Sequence, residues 1–225
     1  MGKHAFSLKT IYLAALTAVF AVSFFAFVAF DLYSQQRQTE QAMLEEARTF
    51  AREMDAVWQF MDNSQSIINN SSSGGYEFKG LHCSVVGKSV GRLFSAGSDY
   101  HIRYTNFDPR SEQDIPDEFE TKALEAFNAD RSVTEYYGVA PFDGEDRFRY
   151  LQALEVDDSC LECHGEPVGE LDITDHAKEG WTLESVGGAI SIVIPLDQQQ
   201  AAMRGNVIRD MAYFLLITVF IGLVI

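Results

Sequence analysis

The most specific chemistry in this chain lies in five consecutive residues, Cys160-Leu161-Glu162-Cys163-His164, a C-x-x-C-H motif. Thiols at i and i+3 share one helical turn, so each can add to a vinyl group of a single haem, and the adjacent imidazole then falls under the porphyrin as an axial iron ligand. The same pair of thiols would also serve as a redox dithiol, a short structural disulfide or half of a zinc site. A four-ligand zinc site normally needs a second C-x-x-C or H-x-x-x-H pair, which the sequence lacks. A redox dithiol more often accompanies a βαβ pattern, which it also lacks. Three cysteines are too few for a disulfide framework, and the odd count leaves Cys83 for another task. The second axial position at the iron is open to Cys83, His82, His101, His176, Met54 or Met61. A thiolate there would stabilise ferric iron, whereas a thioether would raise the potential.

Covalent haem attachment belongs outside the cytoplasm, and the apolar residues place the chain there. Residues 11–30, IYLAALTAVFAVSFFAFVAF, carry no charge. At about 1.5 Å rise per residue they are long enough to cross a hydrocarbon core of about 30 Å. A cleaved signal peptide would have a shorter apolar region and a small-residue cleavage site, which is missing before Asp31. Lys3 and Lys9 precede the run and acidic, Gln-rich sequence follows it, so the positive-inside rule exports what comes after. A second apolar run, residues 211–225, reads as a membrane helix inside which the sequence stops. All 33 acidic residues and all but two of the basic ones lie between the runs. The net charge of −16 has the wrong sign for wrapping a polyanion, so nucleic acid is excluded as a partner.

The segment between the runs must position the motif. Residues 31–70 contain no Gly or Pro, and Met43, Ala47, Phe50, Met54, Val57 and Met61 recur in steps of three and four. The spacing predicts a helix whose apolar stripe is either a dimer seam or a core face. Ser71-Ser72-Ser73-Gly74-Gly75 ends it. A shorter helix over 80–94 and a strand over SDYHIRYTNF follow, and Pro116 with its acidic neighbours opens a helix running to Phe127. Strands SVTEYYGVA and RFRYLQALEV flank Asp143-Gly144, across a connection read as longer than two residues. A last strand, GGAISIVIPL, leads into a polar helix and the second apolar run. Helices and antiparallel strands without a βαβ rhythm make an α+β fold. No activated serine, spaced carboxylate pair or phosphate loop points to an enzyme.

The succession GLHCSVVGKSV, DYHIRYTNFDPR, IPDEFETKALEAF, FRYLQALEV, CLECHGEP and KEGWTLESVGGAISIVIPL resembles a bacterial family of PAS-like haem c sensor domains over about residues 40–198. The resemblance implies a PAS-like antiparallel sheet with a long N-terminal helix, flanked by transmembrane helices and standing outside the membrane; the 43–61 stripe, read as a seam, makes a homodimer the expected partner. The resemblance also implies a kinase, cyclase or chemoreceptor output part beyond this chain. The expected organisation is a cytoplasmic stub and membrane helix over 1–30, a helical stalk over 31–70, the sensor domain over 71–198, and a connecting helix with the truncated second membrane helix over 199–225. By the resemblance, Cys160 and Cys163 are the thioether positions, His164 is the proximal ligand and Cys83 the distal one. Residues 108–116 depart from the family's N-P-R-N-P-x-N-x-P pattern at its Asn and Pro positions but keep Arg110 and Pro116. Arg110 is expected at a haem propionate, since a guanidinium suits a carboxylate. The competing role for such a domain is electron transfer with a redox partner, as an anchored monohaem cytochrome.

Overall fold

The computed structural model describes residues 7–224, so Lys3 and Ile225, which the sequence argument used, lie outside the described residues. The chain falls into two compact units, Met43–Leu196 and a second made of the described residues of 1–42 and 197–225.

Antiparallel pairing builds the larger unit. Strands β1 (His101–Thr105), β2 (Glu135–Phe142), β3 (Glu145–Glu155) and β4 (Val186–Ile194) form one sheet in the order β1-β4-β3-β2. Asp143 and Gly144 both take positive φ, 52° and 83°, and Phe142 pairs directly with Glu145. The hairpin turn therefore has two residues rather than the longer connection expected, because Asp-Gly accepts the left-handed geometry that matches strand twist.

Side chains alternate across the sheet, and both faces are covered. Ile102, Tyr104, Phe148, Tyr150, Ile190, Ile192 and Ile194 pack against Met43, Leu44, Ala47, Ala51 and Met54 of the long helix α1 (Leu8–Asn69). On the opposite face Leu151 and Ala189 meet Ala123, Leu124 and Phe127 of α3 (Glu118–Ala129). The stripe expected as a seam or a core face is thus a core face along much of its length. The compact unit accordingly starts at Met43, well before the boundary expected at 71. Helix α3 starts just after Pro116, which precedes the cap instead of entering the first turn: Asp117 accepts from the Glu120 N–H, and Glu120 reaches back to the Asp117 N–H. Two arginines neutralise this end, Arg149 at 2.7 Å from Asp117 and Arg103 at 3.1 Å from Glu120.

Helix α2 (Cys83–Ala96) lies close over β1 through two glycines one turn apart. A Cβ on Gly91 would stand 2.9 Å from the Ile102 carbonyl oxygen, and one on Gly87 would stand 3.0 Å from both the Trp58 ring and the Tyr104 hydroxyl.

In the other unit, the N-terminal part of α1 and helix α5 (Asp197–Val224) are packed through Phe24 and Phe27 against Phe214, with ring centroids 5.1 and 5.6 Å apart. Among the described residues α1 is the one helix long and apolar enough to cross a membrane by length and composition, with a mean hydropathy of 2.4 over 18 residues. The second expected crossing falls within α5.

Candidate functional site

The C-x-x-C-H motif forms α4 (Asp158–His164), a two-turn helix started by Asp157, whose carboxylate accepts from the N–H groups of Ser159 and Cys160. Gly165 ends it where any Cβ would meet the Leu161 carbonyl oxygen at 2.6 Å. All three cysteines are unpaired, so the structural disulfide considered for the motif is not formed. Among the described residues no group of three or more His, Cys, Asp or Glu side chains is arranged to hold a metal ion by itself.

Beside α4 a cavity of about 1500 Å³ opens on the sheet face that α1 covers. Cys160, Cys163, His164, Cys83, His82, His176 and Arg110 all line it, together with Trp58, Tyr104 and Trp181. The volume is larger than the ~300–1,000 Å³ of most small-molecule sites. The cavity brings together residues as distant along the chain as Trp58 and Trp181, and it divides the candidate axial ligands. Met54 is packed in the core against the sheet, Met61 is buried outside the cavity lining, and His101 lies tilted against Phe142 with ring centroids 5.0 Å apart. Cys83, His82 and His176 remain.

His164 is held on three sides. Its Nδ1 lies 2.8 Å from Glu179 Oε2, its ring stacks on Trp181 at 4.1 Å and 11°, and its carbonyl accepts the Trp181 N–H at 2.8 Å. This leaves Nε2 as the ring nitrogen without a protein partner among the described residues. Burial lowers the His164 pKa, more than the Glu179 carboxylate raises it, so the imidazole is neutral and able to ligate at neutral pH. Burial likewise pushes the Cys83 thiol up to about 12 and the Cys160 thiol up to about 11. Both are therefore thiols at neutral pH, and a thiolate at Cys83 requires a cation to stabilise it.

Arg110 lines the cavity, and its guanidinium is engaged there by protein acceptors. Nε and Nη2 donate to Glu179 at 2.6 and 2.9 Å, Nη1 to Asp172 at 2.6 Å, and Nη2 also to the Cys163 carbonyl at 2.9 Å. It ties α4 to the 172–179 loop. Asp172 additionally accepts from Thr174 and from the His176 N–H; although burial opposes it, these bonds and Arg110 hold its carboxyl well below the usual range.

Sequence reasoning did not assign a role to Glu179, Trp181, Trp58 or Tyr104. Glu179 and Trp181 sit inside the quoted KEGW string, and the four-residue spacing of Gly87 and Gly91 was a legible sign of close helix packing. Tyr104 carries a buried hydroxyl with no hydrogen-bond partner.

The donor set fits a haem: two thiols on one turn, a neutral imidazole with one oriented nitrogen, and a further sulfur lining the same cavity.

An α+β domain with helices on both faces of a four-stranded antiparallel sheet, and a C-x-x-C-H helix at a large cavity, is the class of protein this geometry defines. Residues 36–195 match the Tll0287-like family (Tll0287), and the chain belongs to that family. Among solved structures, the fold is similar to that of the cyanobacterial heme-protein Tll0287, at 17% identity and a TM-score of 0.53, over 68% of this chain and 95% of that one. No curated protein matches the chain significantly.

Proposed function

We propose that the chain is an extracytoplasmic sensor with covalently bound haem c, anchored in the cell membrane, that reports redox state or a diatomic gas across it. The observation that carries this reading is the convergence of Cys160, Cys163, His164 and Cys83 on one cavity, and membership of a family named for a heme-protein supports it. Haem bound here would supply a redox-active iron whose open or weakly held position can take a ligand. Cys160 and Cys163 would hold it through thioethers, His164 would ligate through Nε2, and Cys83 would supply a further sulfur donor. On this reading the sheet and its cavity are a PAS-like sensor unit, α1 is the membrane anchor and α5 the second crossing.

The burial of Cys83 gives the sensor a way to switch. A thiol whose pKa is pushed up by burial holds its proton unless a cation compensates, so Cys83 would be held as a thiolate more firmly beside a ferric haem than beside a ferrous one. Cys83 is the first residue of α2, so its release frees one end of that helix. The test is to place spin labels at Ser34 and Ala202 of the membrane-embedded chain and measure distances in ferric, ferrous and nitrosyl forms. A distance that changes with iron state supports signalling. Identical distances with normal electron exchange to a redox partner would replace it with the electron-carrier function.

A further inference from the structure

Behind the candidate axial imidazole stands a charge cluster whose arrangement goes beyond holding a loop. Glu179 faces His164 Nδ1 with Oε2 at 2.8 Å, and the same carboxylate receives two bonds from Arg110. Arg110 also binds Asp172, whose side chain is fully buried, while Glu179 is 18% exposed and Arg110 23%. Two carboxylates against one guanidinium leave one negative charge uncompensated beside the imidazole. In a site this shielded from water, that charge is felt more strongly than it would be in solvent.

We propose that Glu179 and Arg110 are positioning residues that set the electron-donor strength of His164, with Glu179 drawing on the Nδ1 proton and Arg110 limiting how strongly it draws. The inference rests on the haem reading of the cavity.

The neutral imidazole carries one ring proton, and a carboxylate is acceptor-only, so Nδ1–H donates to Glu179 and Nε2 points away with its lone pair. A charge-assisted hydrogen bond of this length shifts electron density toward Nε2, giving the ring partial imidazolate character and a stronger bond to the iron. Stronger donation favours ferric iron and moves the potential down. Each bond that Arg110 makes to Glu179 competes for the same carboxylate and weakens that pull. The Trp181 stack and the Trp181 N–H bond to the His164 carbonyl hold the ring in register while this happens. Arg110 also binds the Cys163 carbonyl, so one side chain ties the attachment helix and the carboxylate together.

A purely structural role for the cluster predicts that loosening it in any way moves the potential in one direction. The proposed role predicts opposite signs. In the holoprotein, Glu179→Gln removes the anionic acceptor, so the reduction potential should shift up and the iron–histidine stretching frequency should fall. Arg110→Lys replaces the forked contact with a point charge, so the carboxylate draws harder, the potential should shift down and the frequency should rise. Glu179→Asp, which keeps the charge, should fall between Glu179→Gln and the parent. If Arg110→Lys does not fold, the Glu179 pair decides alone. An unmoved potential and frequency in Glu179→Gln, or shifts of the same sign in Glu179→Gln and Arg110→Lys, in a chain that carries haem normally, would overturn this proposal. A parent chain without haem would overturn the cofactor reading itself.

Discussion

Replacing Gly91 by Ala tests the packing that puts Cys83 on the cavity. The new Cβ would stand 2.9 Å from the Ile102 carbonyl oxygen, where ordinary contact begins at 3.4 Å. Helix α2 would have to withdraw from β1 by about 0.5 Å, and backbone on both sides leaves no flexible end to absorb it. Overpacking of this kind costs about 1–3 kcal/mol, while Gly to Ala within a helix returns about 0.8–1 kcal/mol. The net expectation is a loss of about 1 kcal/mol. Gly138→Ala in β2 is the control, because nothing lies within 4 Å of its Cβ position and the change should stabilise by about 0.5–1 kcal/mol. Urea unfolding of the detergent-solubilised chain, followed through Trp58 and Trp181, reads both. One substitution type should thus move the midpoint in opposite directions at two sites. If Gly91→Ala stabilises as much as Gly138→Ala, α2 is not seated on β1 through this face and the placement of Cys83 loses its support.

Cys83→Ala should leave haem attached through Cys160 and Cys163 but change the ferric absorption spectrum and raise the reduction potential, because an anionic donor is removed; an unchanged spectrum and potential would reassign the position to His82 or His176. Asp117→Ala removes both a helix cap and the 2.7 Å partner of buried Arg149. A cap alone is worth about 1 kcal/mol and a broken buried pair about 3–5, and with Asp117 42% exposed the expected loss in urea unfolding is about 2 kcal/mol. Glu135 is bound by Arg48 through two bonds and by the Tyr150 hydroxyl, and the Arg48 bonds lower its pKa. Its stabilisation is therefore complete above the unfolded carboxyl value of ~4.3 and lost as pH falls through the lower folded one. Glu135→Gln should flatten stability against pH in that acid range, and an unchanged profile would contradict the pairing.

What could be read from the sequence depended on how local the signal was. The start of α3 beside Pro116, the Asp143-Gly144 turn and the C-x-x-C-H helix are written in neighbouring residues, and each appears close to where the pattern put it. The turn is shorter than expected because Asp143-Gly144 closes it alone, so that pairing runs on to Phe142 and Glu145. The stripe from Met43 to Met61 could not declare its partner, since a core and a dimer seam have the same period; Ile102, Phe148 and Ile192, far along the chain, claim much of it. The protein partners of Arg110 were illegible for the same reason. Its chemistry suits any carboxylate, and the ones it meets, Glu179 and Asp172, are brought to it only by the fold.

The measurement that bears most directly on the central claim is whether haem stays on the polypeptide after denaturation and acid-acetone extraction of the purified protein. The account predicts that it does in the parent chain, with a pyridine haemochrome spectrum of two saturated vinyl groups, and that Cys160→Ala together with Cys163→Ala abolishes retention. Haem that extracts completely from the parent chain, or a chain that binds none, would contradict it.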